Sequence, residues 1–265
     1  MMDKREPVVI AGNWKMNNGV KETSDYFGHL KKLLSAKNDL ERALATGSVQ
    51  LVVFPPAISL FSAYTLAAKL PCATGAQNIH WEKTGAFTGE ISSPMVREAG
   101  GNFALVGHSE RRHIFGETID MTAKKIAACR SNDLTPVLCI GETEEERGKD
   151  KTEEVLARQF DGAFKDISID REEKIYIAYE PVWAIGTGNT ATPDDAESAC
   201  RFIRERITAR FGPEASQKAR ILYGGSVKPK NARELLSQEN VNGVLVGGAS
   251  LDPESFLEIA EAALP

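Results

Sequence analysis

The sequence predicts an α/β protein built as a closed (β/α)8 barrel, and three observations favour this fold. About eight short runs of apolar, often β-branched residues recur along the chain, and amphipathic stretches separate them. The runs are apolar nearly throughout, as parallel strands are when helices cover one face and side chains fill the other. Polar residues and glycines follow the runs directly, and in a barrel every strand's carboxyl end opens on one face.

The predicted strands share this apolar composition and the polar residues that follow them. They are Val8–Ala11, Leu51–Phe54, Cys72–Ala76, Phe103–Val106, Pro136–Ile140, Ile175–Tyr179, Arg220–Tyr223 and Val244–Val246. An open, doubly wound sheet is the alternative. It would use mainly the loops at its switch point, whereas here polar residues follow strands along the whole chain, which favours the barrel.

The stretches between the strands carry signals of helices. Phe27–Leu34 and Val155–Phe160 each place apolar residues on one helical face. Thr192–Asp195 indicates an N-cap, a proline at the first helical position and two carboxylates that suit the helix dipole, and Asp252–Glu254 repeats that pattern. No linker rich in Pro, Gly or Ser divides the chain, so we expect residues 1–265 to form one domain.

The composition excludes several classes of protein. A net charge of -5 argues against nucleic acid as the main partner, because such partners usually need a basic surface. No stretch reads as a signal peptide or a membrane span, so we expect no membrane partner. The four cysteines are scattered without a CxxC pair, which is typical of a reducing compartment, and we expect a cytoplasmic protein.

Glu180 ends a predicted strand and precedes a segment with Trp183, Ile185 and two glycines. A carboxylate there is a candidate base beneath a movable apolar lid, since excluding water strengthens a base and protects a reactive intermediate. The ordinary alternative is a strand-end glutamate paired with a lysine in a turn, and these residues alone leave both open.

His108 follows a strand and precedes Ser109, which can cap a helical turn. Facing the positive end of a helix disfavours an imidazolium, and a neutral ring can donate a hydrogen bond to a carbonyl oxygen. A satisfied histidine in a polar loop is the alternative. No two histidines have metal-ligand spacing, so we expect no metal site.

Lys15, flanked by Asn13 and Asn17, lies just beyond the first strand and could pair with a phosphate or an oxyanion. A Schiff-base lysine and an ordinary surface cation are the alternatives. Gly224–Ser226 and Gly247–Gly248 each follow one of the last two strands, where barrels build phosphate sites from backbone N–H groups. Tight strand-to-helix turns are the other explanation of these glycines.

Several ordered segments of the chain resemble the triosephosphate isomerase family, from the first strand to the last helix. They are Gly12–Asn17, Gly75–Asn78, Gly85–Glu90, Val106–Arg112, Cys139–Glu142, Ala178–Gly188, Tyr223–Val227 and Val246–Leu251. The resemblance implies a TIM barrel that interconverts dihydroxyacetone phosphate and D-glyceraldehyde 3-phosphate through an enediol(ate), in glycolysis and gluconeogenesis. It also implies a homodimer and no cofactor.

The resemblance further implies a role for each residue that matches the family's motifs. Glu180 would be the base, His108 the neutral electrophile and Lys15 the cation, with Asn13 hydrogen-bonded to the substrate oxygen. Glu110 would orient Lys15, and Ser109 would hold Glu180 when the lid is open. The implied phosphate ligands are backbone N–H groups, together with Lys15: Gly186, Ser226, Gly247 and Gly248.

The remaining implied roles concern the lid and the assembly. Tyr223 and Ser226 would latch the closed lid, and Cys139 would pack behind Glu180. In the resembling family, the loop that matches Gly85–Glu90 enters a pocket beside the partner's site, so Phe87 and Thr88 would contact the other subunit. The lid would consist of Pro181, Val182, Trp183, Ala184, Ile185, Gly186 and Thr187.

Two rival functions remain open on sequence alone. An aldolase would use Lys15 as a Schiff base, and trapping with borohydride distinguishes it from an isomerase. A non-enzymatic scaffold or metabolite-binding protein would not need an intact base, electrophile and cation. The stretch Ser35–Gly47 departs from the family because it is somewhat longer, and we expect it to lie far from the barrel mouth.

Overall fold

The computed structural model describes residues 7–169, 174–185 and 191–265, and its strands form one closed barrel in the order β1 to β8. All eight predicted strands are confirmed, with ends that shift by at most two residues. The strands are β1 Val8–Asn13, β2 Val49–Phe54, β3 Cys72–Ala76, β4 Phe103–Val106, β5 Thr135–Ile140, β6 Tyr176–Tyr179, β7 Arg220–Tyr223 and β8 Gly243–Val246.

Pairing between the first and last strands closes the sheet. Ile10 in β1 lies opposite Leu51 of β2 on one side and opposite Val244 of β8 on the other, and both pairings are parallel. The predicted barrel is therefore confirmed and the open sheet is wrong. Because every strand runs in the same direction, all carboxyl ends meet at one mouth.

Helices surround the barrel and connect its strands. They are α1 Val20–Leu34, α2 Asn38–Thr46, α3 Leu60–Ala67, α4 Ser93–Glu98, α5 Ser109–His113, α6 Ile119–Arg130, α7 Glu144–Gly148, α8 Thr152–Ala163, α9 Pro193–Phe211, α10 Pro213–Lys218, α11 Pro229–Leu236 and α12 Pro253–Glu261. Single 3-10 turns lie at Ala57–Ser59, Val182–Ala184 and Gly248–Leu251.

The predicted caps are confirmed by their hydrogen bonds. The Thr192 hydroxyl accepts the Asp195 N–H at 3.1 Å at the start of α9, and the Asp252 carboxylate accepts the Ser255 N–H at 3.0 Å at the start of α12. The long Ser35–Gly47 stretch contains α2, and Gly47, which follows the helix, has the left-handed conformation that favours glycine.

Two apolar clusters account for the strand composition. One lies between the barrel and the helices, and its strand residues include Ile10 and Val244. The other fills the barrel interior, with Val9, Ala11 and Leu245 among its members. Strand residues therefore alternate between two buried faces, which explains why the runs lack polar alternation. Among the helices described, none combines the length and the apolar composition that crossing a bilayer requires.

Gly141, directly after β5, allows β5 and β6 to approach at the mouth. A Cβ at this position would lie 1.7 Å from the Glu180 carbonyl oxygen, which is backbone and cannot move aside as a side chain could. The close approach of strands at this point therefore requires a residue without a side chain.

We expect Gly141→Ala to lower the free energy of unfolding by about 1–3 kcal/mol or more, because overpacking displaces neighbouring strands. Gly28→Ala is the matched control. Gly28 lies in α1, where an added Cβ would have no neighbour within 4 Å, so this change should stabilise the protein by about 0.5–1 kcal/mol. Urea unfolding of both variants measures the difference, and equal stabilities would contradict the expectation.

Candidate active site

The carboxyl ends of the strands bring together residues that are distant in sequence. Asn13 ends β1, His108 follows β4, Glu180 follows β6 and Gly247 follows β8. Together with Lys15 they line a cavity of about 40 Å³. Its other walls are Ile185, Gly224, Gly225 and Leu245.

Glu180 is a buried carboxylate with both oxygens engaged. It is 2% exposed. Its Oε1 lies 3.1 Å from His108 Nε2, and its Oε2 accepts the backbone N–H of Ser109 at 2.7 Å. The structure thus places Ser109 against Glu180 through its main chain. Charge-assisted hydrogen bonds of this kind hold a desolvated carboxylate in one position.

His108 is itself the N-cap of α5, whereas the sequence indicated Ser109 as the capping residue. His108 Nδ1 accepts the Glu110 backbone N–H at 3.3 Å, and Ser109 is the first residue of the helix. Capping by Ser109 is therefore wrong, because the imidazole occupies the acceptor position. Since Nδ1 uses its lone pair to accept, the ring hydrogen of the neutral tautomer lies on Nε2, the atom that faces Glu180.

The backbone before His108 is held at both ends by charged side chains. Gly107 N–H donates to Glu117 Oε1 at 2.8 Å, and Gly107 C=O accepts from Arg112 Nε at 2.7 Å. Gly107 has a φ of 74°, in the left-handed region, and a Cβ would meet the Arg112 guanidinium at 2.4 Å. The peptide that carries His108 therefore has little freedom. Sequence reasoning missed this role of Glu117 and Arg112.

Glu117 is a buried charge with cationic partners. Lys125 Nζ lies 2.6 Å and Arg111 Nε 2.8 Å from its Oε2. Burial alone would raise the pKa of Glu117, but the Lys125 ammonium and the Arg111 guanidinium lower it below the ordinary value. The carboxylate therefore stabilises the folded state above the pKa of an unfolded glutamate and loses that contribution as pH falls through its own lowered pKa.

Lys15 stands at the same mouth, as an ion-paired cation. Its Nζ lies 2.6 Å from Glu110 Oε1, and its backbone N–H donates to Asn13 Oδ1 at 3.0 Å. Its φ of 53° is left-handed, which is uncommon for a residue with a side chain. An ammonium held against a carboxylate suits a cationic role better than the amine nucleophile of an aldolase.

The predicted phosphate loops lie at the mouth in different positions. A Cβ on Gly247 would contact Lys15 Cε at 3.6 Å, so this loop adjoins the lysine. Gly248 is exposed at the start of the last 3-10 turn, and Ser226 is half-buried and accepts from Asn231 through its carbonyl. Neither of these two lines the small cavity. Gly186 and Thr187 lie outside the described residues.

The described part of the predicted lid segment is hydrogen-bonded to Glu142, directly after β5. Trp183 Nε1 donates to Glu142 Oε1 at 2.8 Å, and the Val182 N–H donates to the Glu142 carbonyl at 3.1 Å. The Arg147 guanidinium lies 4.3 Å from the Trp183 ring centroid. Burial raises the pKa of Glu142 above its ordinary value.

Cys139 and Tyr223 support the site from below. Cys139 is fully buried in the barrel interior, where burial and then the nearby Glu180 charge raise the pKa of its thiol. Tyr223 is buried, with its hydroxyl beneath Gly225, where a Cβ would meet it at 2.1 Å. In the described part of the chain, no group of three or more His, Cys, Asp or Glu side chains is arranged to hold a metal ion.

A barrel mouth that carries a buried carboxylate, an imidazole and an ion-paired lysine defines a class of protein, a (β/α)8-barrel enzyme of acid–base chemistry. Comparison with known proteins specifies the family. The sequence model of the triosephosphate isomerase family matches residues 8–263. The chain belongs to that family.

Individual relatives agree with this assignment. Triosephosphate isomerase of Aquifex aeolicus is 47% identical over 95% of this chain and 97% of its own length. The enzyme of Dictyoglomus turgidum is 44% identical over 96% and 98%. The crystal structure of triosephosphate isomerase from Bartonella henselae superposes with a TM-score of 0.82 at 38% identity, covering 96% of this chain and 98% of that one.

The tautomer of His108 is open to direct measurement. We expect ¹⁵N NMR of labelled protein to show a ring with its hydrogen on Nε2 and an unprotonated Nδ1, because Nδ1 accepts the Glu110 N–H. The exposed His113 serves as an internal reference. A hydrogen on Nδ1 of His108 would contradict this assignment.

Proposed function

We propose that the chain interconverts dihydroxyacetone phosphate and D-glyceraldehyde 3-phosphate by moving a proton between adjacent carbons through an enediolate. The observation that carries this proposal is the pairing of Glu180 with His108 Nε2 at 3.1 Å on a cavity that also holds Lys15. The family named by the comparisons supports the substrate. This places the reaction in glycolysis and gluconeogenesis.

Glu180 is the proposed base. Its carboxylate removes a proton from one substrate carbon, and the resulting carboxylic acid returns it to the neighbouring carbon. The hydroxyl proton moves from one substrate oxygen to the other through the Nε2–H of His108, so the enzyme ends unchanged. The hydrogen bond from the Ser109 N–H and the contact with His108 Nε2 hold the carboxylate at the edge of the cavity. Ile185 and Leu245, which also line the cavity, provide apolar walls that keep water from the base.

His108 and Lys15 stabilise the oxygen on which charge develops. The Nε2–H of His108 donates to the substrate oxygen, and the Lys15 ammonium supplies positive charge to the enediolate and to the phosphate. Asn13 donates its amide to the same oxygen. The backbone N–H groups of Gly186, Ser226, Gly247 and Gly248 bind the phosphate, which keeps the substrate in register with Glu180.

We also propose the organisation and location of the protein. Residues 1–265 form one catalytic domain, which the single barrel and the family match over residues 8–263 support. The four cysteines are free thiols, which suits the reducing cytoplasm. We propose that neither a metal nor an organic cofactor takes part, since proton transfer between carbons needs only the base, the electrophile and the cation.

The first test of this function is a variant of the base. In a coupled assay with dihydroxyacetone phosphate, we expect Glu180→Asp to lower kcat by about a hundredfold or more with little change in KM. A displacement of about 1 Å loses the reactive geometry while the phosphate grip remains. Glu197→Asp should keep normal kcat, because it shortens a carboxylate of α9 that accepts hydrogen bonds from Asn240, in the turn before β8. Normal turnover of Glu180→Asp would remove Glu180 from the base role.

We propose that the protein works as a homodimer, because an apolar surface surrounds a cleft beside the lysine. Met16 is 95% and Phe115 67% exposed, and both line a cavity of about 280 Å³ together with Lys15 and Glu110. Exposed apolar surface of this kind marks an interface. The neighbouring Ile58, Phe61 and Ile114 are also exposed.

The occupant that we propose for this cleft is the Gly85–Glu90 loop of a second copy. Phe87 is 43% exposed and packs against its own His80 with the ring centroids 4.2 Å apart, so the base of the loop is held within its own chain. Thr88 at the tip is exposed and free to enter the partner's cleft. Two-fold symmetry then uses each loop to support the opposite Lys15.

A charge at the tip should separate the subunits. We expect Thr88→Glu to give monomers with strongly reduced activity, because the new carboxylate would be desolvated beside Glu110. Phe87→Asp should do the same but also removes the ring contact with His80. Thr208→Glu, on the exposed side of α9, is the matched control. Sedimentation and assay at matched concentration decide the question, and a fully active monomer would contradict the proposal.

A further inference from the structure

Gln77 lies directly after β3 and joins the ends of three strands, although the proposed mechanism assigns it no part. Its Nε2 donates to the Lys15 carbonyl oxygen at 2.7 Å and to the Phe54 carbonyl oxygen at 2.9 Å. A side-chain amide has two hydrogens on nitrogen, so this group is fully used. One hydrogen bond reaches the residue that carries the proposed catalytic cation, and the other reaches the last residue of β2.

The residue that Gln77 contacts is the strained one. Lys15 has a φ of 53°, and left-handed backbone is unfavourable for a residue with a Cβ. Such a conformation persists only where the surroundings hold it. Two side-chain amides hold it here, because Asn13 Oδ1 accepts the Lys15 N–H at 3.0 Å while Gln77 donates to the Lys15 C=O.

The second acceptor of the Gln77 amide, the Phe54 carbonyl oxygen, belongs to a tightly packed part of the barrel. Phe54 is fully buried, and its carbonyl also accepts the Trp14 N–H at 3.1 Å. Trp14 is itself fully buried and donates its indole N–H to the Ser250 carbonyl at 3.2 Å. The Gln77 amide therefore connects the strained residue to a packed part of the barrel that cannot follow it if it relaxes.

We propose that Gln77 is a positioning residue that holds Lys15 in its left-handed conformation and thereby sets the position of the ammonium in the site. The inference rests on the proposed role of Lys15 as the cation that binds the phosphate and the oxyanion. Without Gln77, Asn13 is the one side chain of the described residues that still holds the backbone of Lys15 against relaxation to the right-handed conformation. The ammonium then leaves the site in a large fraction of the molecules.

If Gln77 holds Lys15 in place, its replacement should change KM and leave kcat nearly unchanged. If Gln77→Met leaves only a minority of molecules with Lys15 in place, substrate must select that minority, so KM rises while kcat in the bound state is kept. From the cost of left-handed backbone we expect KM to rise roughly tenfold, with kcat within about twofold. The inhibition constant of inorganic phosphate should rise by the same factor as KM.

A second background separates action through Lys15 from a general structural effect. In a Lys15→Ala protein the ammonium is absent, so adding Gln77→Met should leave the inhibition constant of phosphate unchanged. An equal rise in both backgrounds would overturn the proposal. Gln50→Met is the matched control, since Gln50 is partly buried at the opposite end of β2 and contacts Tyr176. Gln50→Met should leave KM and the phosphate constant unchanged.

An effect of Gln77→Met on assembly must be separated from its effect on Lys15. Gln77 lines the cleft beside Lys15, so sedimentation must show the same assembly for Gln77→Met and the parent protein at assay concentration. A KM effect that disappears when protein concentration is raised overturns the positioning role. If Lys15→Ala alone retains full activity, the proposed function of Lys15 fails. If Lys15→Ala is inactive and Gln77→Met has an unchanged KM, only the present inference fails.

Discussion

Closure of the sheet between β1 and β8 is the constraint on which the other features depend. Val9 of β1 and Gly243 of β8 are register partners, and a Cβ on Gly243 would lie 2.0 Å from the Val9 carbonyl oxygen. The seam therefore requires a residue without a side chain. Once it is closed, parallel strands bring Asn13, His108 and Glu180 to one mouth, and the interior beneath them is filled with packed apolar side chains.

The mouth concentrates charged side chains and left-handed backbone, and each is held by specific partners. Glu180 is buried but accepts the Ser109 N–H and lies close to His108 Nε2, and Lys15 is ion-paired with Glu110. Lys15, a proposed catalytic residue, and Gly107, which precedes His108, both have positive φ values. Hydrogen bonds hold the backbone of each in this conformation. Burial strengthens the contacts of Glu180 and makes their loss costly, so specific partners position the proposed catalytic groups.

Most of the fold can be predicted from the sequence because its signals are local. Parallel strands with two buried faces have continuous apolar composition, so even the short run Cys72–Ala76 is recognisable. The caps at Thr192 and Asp252 depend on atoms within three residues. The cap of α5 is an exception, because the sequence indicates Ser109 and the structure has His108. A histidine caps a helix only when its Nδ1 points toward the first free N–H groups, and the position of the preceding strand determines this orientation.

For the site, the sequence by itself determined which chemical groups are available and that they follow strands. The resemblance to a family assigned Glu180, His108 and Lys15 their expected roles. Tertiary structure alone decided how those groups are held. The contacts of Gln77 with Lys15 and of Glu117 with Gly107 depend on pairs of residues separated along the chain. No local pattern encodes such contacts, because barrel closure and strand register determine which residues meet.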